Sequence, residues 1–223
     1  MKQRPNNLSL LRRRHVVFAL STLGVAQVAA AQGRPTRATP SQTLGPFYPR
    51  DVSERPPQTD ADLLTSDGGT LLSKGTPMFL SGRVLDRHGA ALVRAEVELW
   101  QCDAHAVYHH PGGGAESERD PYFQGYGRTL TDAEGRFYFR TIKPVPYPGR
   151  TAHLHLRIAP GSGGALATQL YLPDEPGNAR DFLFRQLSRD ERAALTLALR
   201  TTQSSHPLAQ ATRITATTEL IVA

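Results

Sequence analysis

The chain has 223 residues, enough for one substantial domain with an appendage. Its formal charge of +6 belongs to its front: Lys2, Arg4, Arg12, Arg13 and Arg14 are five cations with no acidic residue among positions 1–31, and removing them leaves +1. A nearly neutral remainder argues against a nucleic-acid partner, which usually needs a basic patch. The single cysteine, Cys102, excludes an internal disulfide.

Residues 1–31 read as a secretory signal peptide. Met1 to Arg14 is basic, Val16 to Val28 is largely apolar, and Ala29-Ala30-Ala31 supplies a small-residue cleavage pattern. The apolar stretch is short for a membrane span, so an integral membrane protein is not expected. Arg12 to Arg14 followed by His15-Val16-Val17-Phe18 resembles a twin-arginine signal, with an ordinary arginine-rich secretion signal as the alternative. Either route exports the mature chain, and a periplasmic location is expected.

Residues 32–77 are rich in Pro, Thr, Ser and Asp with little periodicity. They are expected to form an extended arm, anchored by the turn Gly45-Pro46-Phe47-Tyr48-Pro49. Short strands follow over Met78 to Leu85, Ala95 to Gln101, Gly135 to Arg140, His153 to Ile158 and Thr168 to Leu172. Turns bearing Gly and Asp separate them. Ser188 to Leu199 reads as one helix, with a Ser cap and Glu191 at the third helical position. Arg213 to Val222 closes the series as a last strand. The expected architecture over 78–223 is therefore all-β, a single β-sandwich with an N-terminal arm and one short C-terminal helix.

Four residues stand out chemically. In His153-Leu154-His155-Leu156, strand geometry points both imidazoles to one face while the leucines pack into the core behind them. Tyr147 lies just upstream and Tyr108 follows another strand. Two phenolate oxygens and two neutral imidazoles suit a hard trivalent metal. Taken singly, each has an ordinary reading: His-x-His also occurs in zinc sites and cupins, and a lone tyrosine is usually a rim or core aromatic. Cys102 reads as a small buried hydrophobe. His105, His109 and His110 read as solvent-exposed loop residues.

Longer stretches narrow the choice. Thr39 to Pro49, Val97 to Ala104, Gly127 to Phe137, Thr141 to Pro144, Arg150 to His155 and Thr168 to Tyr171 resemble, in order, segments of the intradiol ring-cleaving dioxygenases, near the protocatechuate 3,4-dioxygenase type. The resemblance implies a non-haem Fe(III) enzyme that opens a catechol-type ring between its hydroxylated carbons with O2, giving a muconate-type product. It implies Tyr108 and His155 as equatorial ligands and Tyr147 and His153 as axial ones, Tyr147 being the ligand that yields to substrate. Arg150 would face the substrate, and Gln169 would hydrogen-bond near the iron. Between Tyr147 and Arg150 only Pro148-Gly149 stand where protocatechuate enzymes have a longer loop, so catechol, protocatechuate and substituted catechols all stay open as substrates. Homo-oligomerisation and an iron-free partner subunit stay open too. The competing expectation is an exported, metal-free transthyretin-like binding module. It accounts for residues 78–140, with Ser81 to Gly89 followed by Val97 to Trp100, but not for the positions of Tyr147, Arg150, His153 and His155.

Overall fold

The alternating strands pair as two four-stranded sheets. A computed structural model describes residues 37–57, 59–66, 71–201 and 214–223; the expected leader lies outside the described residues. The first sheet contains β3 (Pro77–Asp86), β6 (Arg136–Ile142), β9 (Ala198–Thr201) and β10 (Ile214–Val222), in the order β6-β3-β10-β9. The second contains β4 (Glu96–Trp100), β5 (Tyr126–Leu130), β7 (His153–Ala159) and β8 (Leu166–Tyr171), in the order β5-β4-β7-β8. All pairs are antiparallel except β3 with β10, which run parallel from Met78↔Ile214 to Asp86↔Val222. A two-stranded ribbon, β1 (Thr65–Ser66) with β2 (Leu71–Leu72), precedes them.

The core forms where the inward rows of the two sheets meet. Leu80, Val84, Phe137, Phe139 and Leu220 come from one side, and Val97, Leu99, Leu154, Leu156, Ile158 and Leu170 from the other, all buried. This is an all-β sandwich, as the strand spacing indicates. Leu154 and Leu156 occupy the core behind the two histidines.

Two elements depart from the sequence-based expectation. The helix α2 (Arg189–Leu195) has the expected Ser188–Glu191 capping box but stops four residues short of Leu199. From Thr196 onward the chain finds sheet partners instead: Leu197 N–H donates to Tyr171 O at 2.9 Å, and β9 pairs with β10. Tertiary pairing outweighs the helical propensity of Leu197 to Leu199. A further five-residue helix, α1 (Phe182–Gln186), begins at Asp181, whose carboxylate accepts from the N–H groups of Leu183 and Phe184.

The segment from Arg37 to Leu64 is built into the sandwich. Thr39 exchanges hydrogen bonds with Ile221, at 2.9 Å from its N–H and 2.7 Å to its hydroxyl oxygen. Gln42 N–H donates to Ala167 O at 2.8 Å, laying the segment beside β8. Leu63 and Leu64 are fully buried in the core. Tyr48 packs on Trp100 with ring centres 4.8 Å apart, in a second apolar cluster with Cys102, Tyr108 and Tyr126. That cluster covers the outer face of the second sheet, where the candidate site lies.

Candidate metal centre

Register brings the site together. Trp100, His155 and Gln169 stand side by side across β4, β7 and β8, and His153 stands opposite Tyr171. These residues occupy the outward positions of their strands, yet all are buried. The His155 ring stacks on Trp100 with centres 4.8 Å apart and planes 11° apart. Tyr108 arrives from the loop between β4 and β5. Its N–H donates to Gly113 O at 3.2 Å, and the backbone returns so closely that a Cβ on Gly113 would lie 2.3 Å from Tyr108 O. Tyr147 comes from the turn it closes with Arg150, whose N–H donates to Tyr147 O at 2.9 Å.

The four side chains expected to act together do meet. The Nε2 atoms of His153 and His155 are 3.1 Å apart. Tyr147 lies 5.5 Å, ring to ring, from both His153 and Tyr108, and Tyr108 lies 6.3 Å from His155. Phe47 stacks on Tyr108 at 4.5 Å and closes the aromatic side of the cluster.

These groups suit a cation. His153 Nδ1 lies 2.6 Å from Thr151 O, so that nitrogen carries the proton and Nε2 keeps its lone pair. Two metal–imidazole bonds of about 2.1 Å at a right angle would end about 3.0 Å apart, close to the spacing of the two Nε2 atoms. Burial, reinforced by Arg150, lowers the His153 pKa to about 4. Burial and His153 hold His155 well below the ordinary imidazole value, so both rings are neutral at pH 7. The Tyr108 hydroxyl is buried without a well-formed hydrogen bond, although it and Tyr147 lie close enough to perturb each other. Burial, with Cys102 and Tyr147 behind it, raises Tyr108 well above the usual phenol range. Burial also raises Tyr147, and Arg150 works against the rise. An unpaired buried hydroxyl costs about 1–3 kcal/mol, and a cation at this point would both pair it and favour its ionised form. No cluster of three or more His, Cys, Asp or Glu suited to a metal exists among the described residues; the donors gathered at this point are the two histidines and the two tyrosines.

Arg150 and Gln169 lie beside the imidazole pair. Arg150 Nε donates to Asp181 at 2.8 Å, Nη2 donates to Gln169 Oε1 at 2.7 Å, and Nη1 lies 3.5 Å from His153 Nε2. The guanidinium also sits over the exposed Phe182 ring at 5.5 Å. Sequence reasoning did not single out Asp181, Tyr171, Gln42 or Phe47. Asp181 carried one local signal, as a capping residue before an apolar run.

Two of the loop histidines differ from expectation. His105 is exposed, but His109 and His110 are partly buried. His109 packs edge-on against Phe123 at 6.0 Å with Nε2 3.5 Å from the buried Asp103 carboxylate, and His110 packs against Phe47 at 5.9 Å. The loop that presents Tyr108 folds back on itself and takes its neighbours inside. Cys102 is buried, its thiol pushed up to about 12 by burial and by Asp103, consistent with an inert hydrophobe.

A family model described as Dioxygenase matches residues 45–213, across the whole site. This chain belongs to the intradiol dioxygenase family. Among curated relatives of the family, the protocatechuate 3,4-dioxygenase beta chain of Burkholderia cepacia is 37% identical over 145 residues, which cover 60% of this chain and 61% of that one. The hydroxyquinol 1,2-dioxygenase of Rhizobium sp. (strain MTP-10005) is 29% identical, covering 78% of this chain and 61% of its own. The chain thus spans about three fifths of the length of these relatives. Among solved structures, the dioxygenase domain of a dioxygenase carbohydrate-binding protein fusion from Streptomyces sp. SirexAA-E matches with a TM-score of 0.62 and 30% identity, over 83% of this chain and 98% of that one. Catechol 1,2-dioxygenase from Pseudomonas arvilla C-1 matches with a TM-score of 0.61 and 25% identity, over 82% and 61%. The metal-free transthyretin-like reading rests on residues 78–140, whereas the family match continues through His153 and His155.

Proposed function

We propose that this chain is a non-haem ferric intradiol dioxygenase. It would open a catechol-type ring between the two hydroxylated carbons and place both atoms of O2 in a muconate-type dicarboxylate. The observation that carries the proposal is the meeting of two tyrosines with two histidine Nε2 atoms in one buried cluster, in a chain of this family.

Tyr108, Tyr147, His153 and His155 would hold the iron. Bound there, Fe(III) would supply a Lewis acid that makes a catecholate reactive toward O2. The protein's own groups do the rest. His153 is held through Nδ1 by Thr151 O, which aims its Nε2 lone pair into the site. Tyr147 is partly buried at the rim, and its oxygen would accept a proton from an incoming catechol hydroxyl. Arg150 keeps its proton and can stabilise negative charge that develops on the ring during attack. Phe47, Trp100 and Tyr108 pack around the site and keep water from its inner wall. Residues 1–31 serve, in this proposal, as a twin-arginine-like export signal, which places the enzyme in the periplasm. A fused reporter should leave the cytoplasm, and replacing Arg13 and Arg14 with Lys should retain it; continued export would indicate the general secretory route.

The deciding experiment is metal analysis of the purified mature protein with a visible spectrum, followed by O2 uptake on a panel of catechols. One ferric ion per chain, a tyrosinate-to-iron absorption and ring-opened dicarboxylates are expected. A colourless protein holding stoichiometric zinc, or semialdehydes from cleavage beside the hydroxyls, would overturn the proposal.

A further inference from the structure

We infer that Gln42, Thr43 and Tyr171 are positioning residues for Arg150, acting through Gln169. The N-terminal segment would then be a working part of the site. The argument starts from a carboxamide, which has one accepting end and one donating end. Gln169 Oε1 accepts from Arg150 Nη2 at 2.7 Å, and Gln169 Nε2 donates to Thr43 O at 3.1 Å. A guanidinium offers only donors and a carbonyl only an acceptor, so turning the amide over would lose both bonds.

Thr43 O is held in its turn. Beside it, Gln42 N–H donates to Ala167 O at 2.8 Å, and the Thr168 hydroxyl donates to Pro40 O at 2.8 Å. Tyr171 lies two residues beyond Gln169 on the same strand face and is fully buried. Its single hydroxyl proton is donated to Gln42 Oε1 at 3.0 Å and shared, more weakly, with Gln169 Oε1 at 3.4 Å, so Tyr171 spans the segment and the carboxamide. The segment then turns at Gly45, where φ is +76° and a Cβ would lie 3.3 Å from His155 Cε1.

The consequence falls on Arg150. Asp181 grips its Nε edge and Gln169 its Nη2, which leaves Nη1 directed at His153. A planar guanidinium held at two edges has one orientation; without Gln169 only Asp181 and the phenol contacts to Tyr147 and Tyr171 restrain it, and it can turn about the Asp181 contact. Loosening Gln42 or Tyr171 frees Gln169, and the Arg150 charge moves off the site.

The effect on turnover rests on the dioxygenase reading, whereas the effect on Arg150 does not. The test uses Gln42→Leu, Tyr171→Phe and Gln169→Ala, alone and combined, in the iron-loaded mature protein. Gln42→Leu and Tyr171→Phe should each lower kcat by about fivefold or more with KM within about twofold, while iron content and visible absorption stay unchanged. In the Gln169→Ala/Tyr171→Phe background Gln42→Leu should lower kcat no further, because Tyr171, which also lies within reach of Arg150, and Gln169 are then both gone and every route from the segment to the guanidinium is cut. Gln42→Glu, which keeps an acceptor for Tyr171, should recover most of the rate. Crystal structures of the variants should show the guanidinium turned away from its Nη2 contact. A further loss of kcat from Gln42→Leu in that background, or an unmoved guanidinium, would overturn the inference. If the wild-type protein neither holds iron nor opens catechols, the dioxygenase reading falls, and the position of Arg150 in those crystals decides the clamp by itself.

Discussion

On β6 the residues alternate in the ordinary way, with Arg136 and Tyr138 in solvent and Phe137 and Phe139 in the core. On β7 the alternation of residue types is just as regular, but His153 and His155 are as buried as Leu154 and Leu156. The same contrast holds between the two sheets. The first leaves its outer row wet, with the stacked Phe79–Tyr138 pair partly exposed. The second buries Glu98, Trp100, His153, His155, Gln169 and Tyr171 on the corresponding face. A dry polar row is costly unless each group is paired or shares a ligand. Most of this row is paired: Glu98 accepts from Tyr48, Tyr126 and Arg157. The unpaired groups include the Tyr108 hydroxyl and His155 Nδ1, both within the candidate metal centre. In this fold, a covered outer face marks the place where chemistry can be housed.

The comparison can be broken most directly at Asp181, the buried partner of Arg150. Asp181→Ala leaves that cation unpaired and uncaps α1, so unfolding by urea should show a loss of about 3–5 kcal/mol. Its pH dependence has a definite sign. Burial alone raises the Asp181 pKa, but Arg150 and the N–H groups of Phe184 and Thr151 outweigh it, and the net shift is downward. The folded protein therefore binds fewer protons here than the unfolded chain. The contribution is complete above the ordinary carboxylate range and is lost as pH falls through the lowered folded value. Wild type and Asp181→Asn should accordingly converge in stability on acidification; curves that stay parallel would remove Asp181 from the account.

Tyr147 sharpens the contrast at the level of rate. Tyr147→Phe should keep much of its iron, weaken the visible absorption and slow turnover by more than tenfold, or over ~1.4 kcal/mol of transition-state stabilisation. Tyr108→Phe should lose absorption and iron affinity together, since Tyr108 is the more deeply buried of the two tyrosines. Unchanged spectrum and rate in Tyr147→Phe would show that the four-residue centre is wrongly composed. The smallest effect belongs to the wet face: Tyr138→Thr should change stability by no more than about 0.5 kcal/mol in thermal unfolding. A loss comparable to that of Asp181→Ala would mean that the first sheet is also covered in solution.

The strand pattern His-Leu-His-Leu made β7, its core face and the pairing of two imidazoles legible together, because one period governs all three. Tyr108 and Tyr147 sit in irregular segments where no period applies, and only the resemblance raised them above the ordinary reading of lone aromatics. The capping box at Ser188 was readable from local chemistry, whereas the end of α2 was not, because Thr196 and Leu197 answer to Tyr171 and Ala198 to Thr201 answer to β10. Gln42 and Tyr171 were beyond reach for a similar reason: they are 129 positions apart, and neither has a neighbour in sequence that hints at the other.

The parallel pairing of β3 with β10 has a bearing on how the chain is made. β3 lies inside its sheet only because β10 occupies its second edge, and β10 is synthesised long after β3 and β6 have emerged. Until then, nine residues of β3 carry unsatisfied backbone donors and acceptors along an open, partly apolar edge. A ribosome that stalls before Ile214, or a protease that clips ahead of it, leaves that edge available to any other strand. Quality control of this protein therefore depends on a strand translated long after the one it completes, and products truncated ahead of it are expected in aggregates.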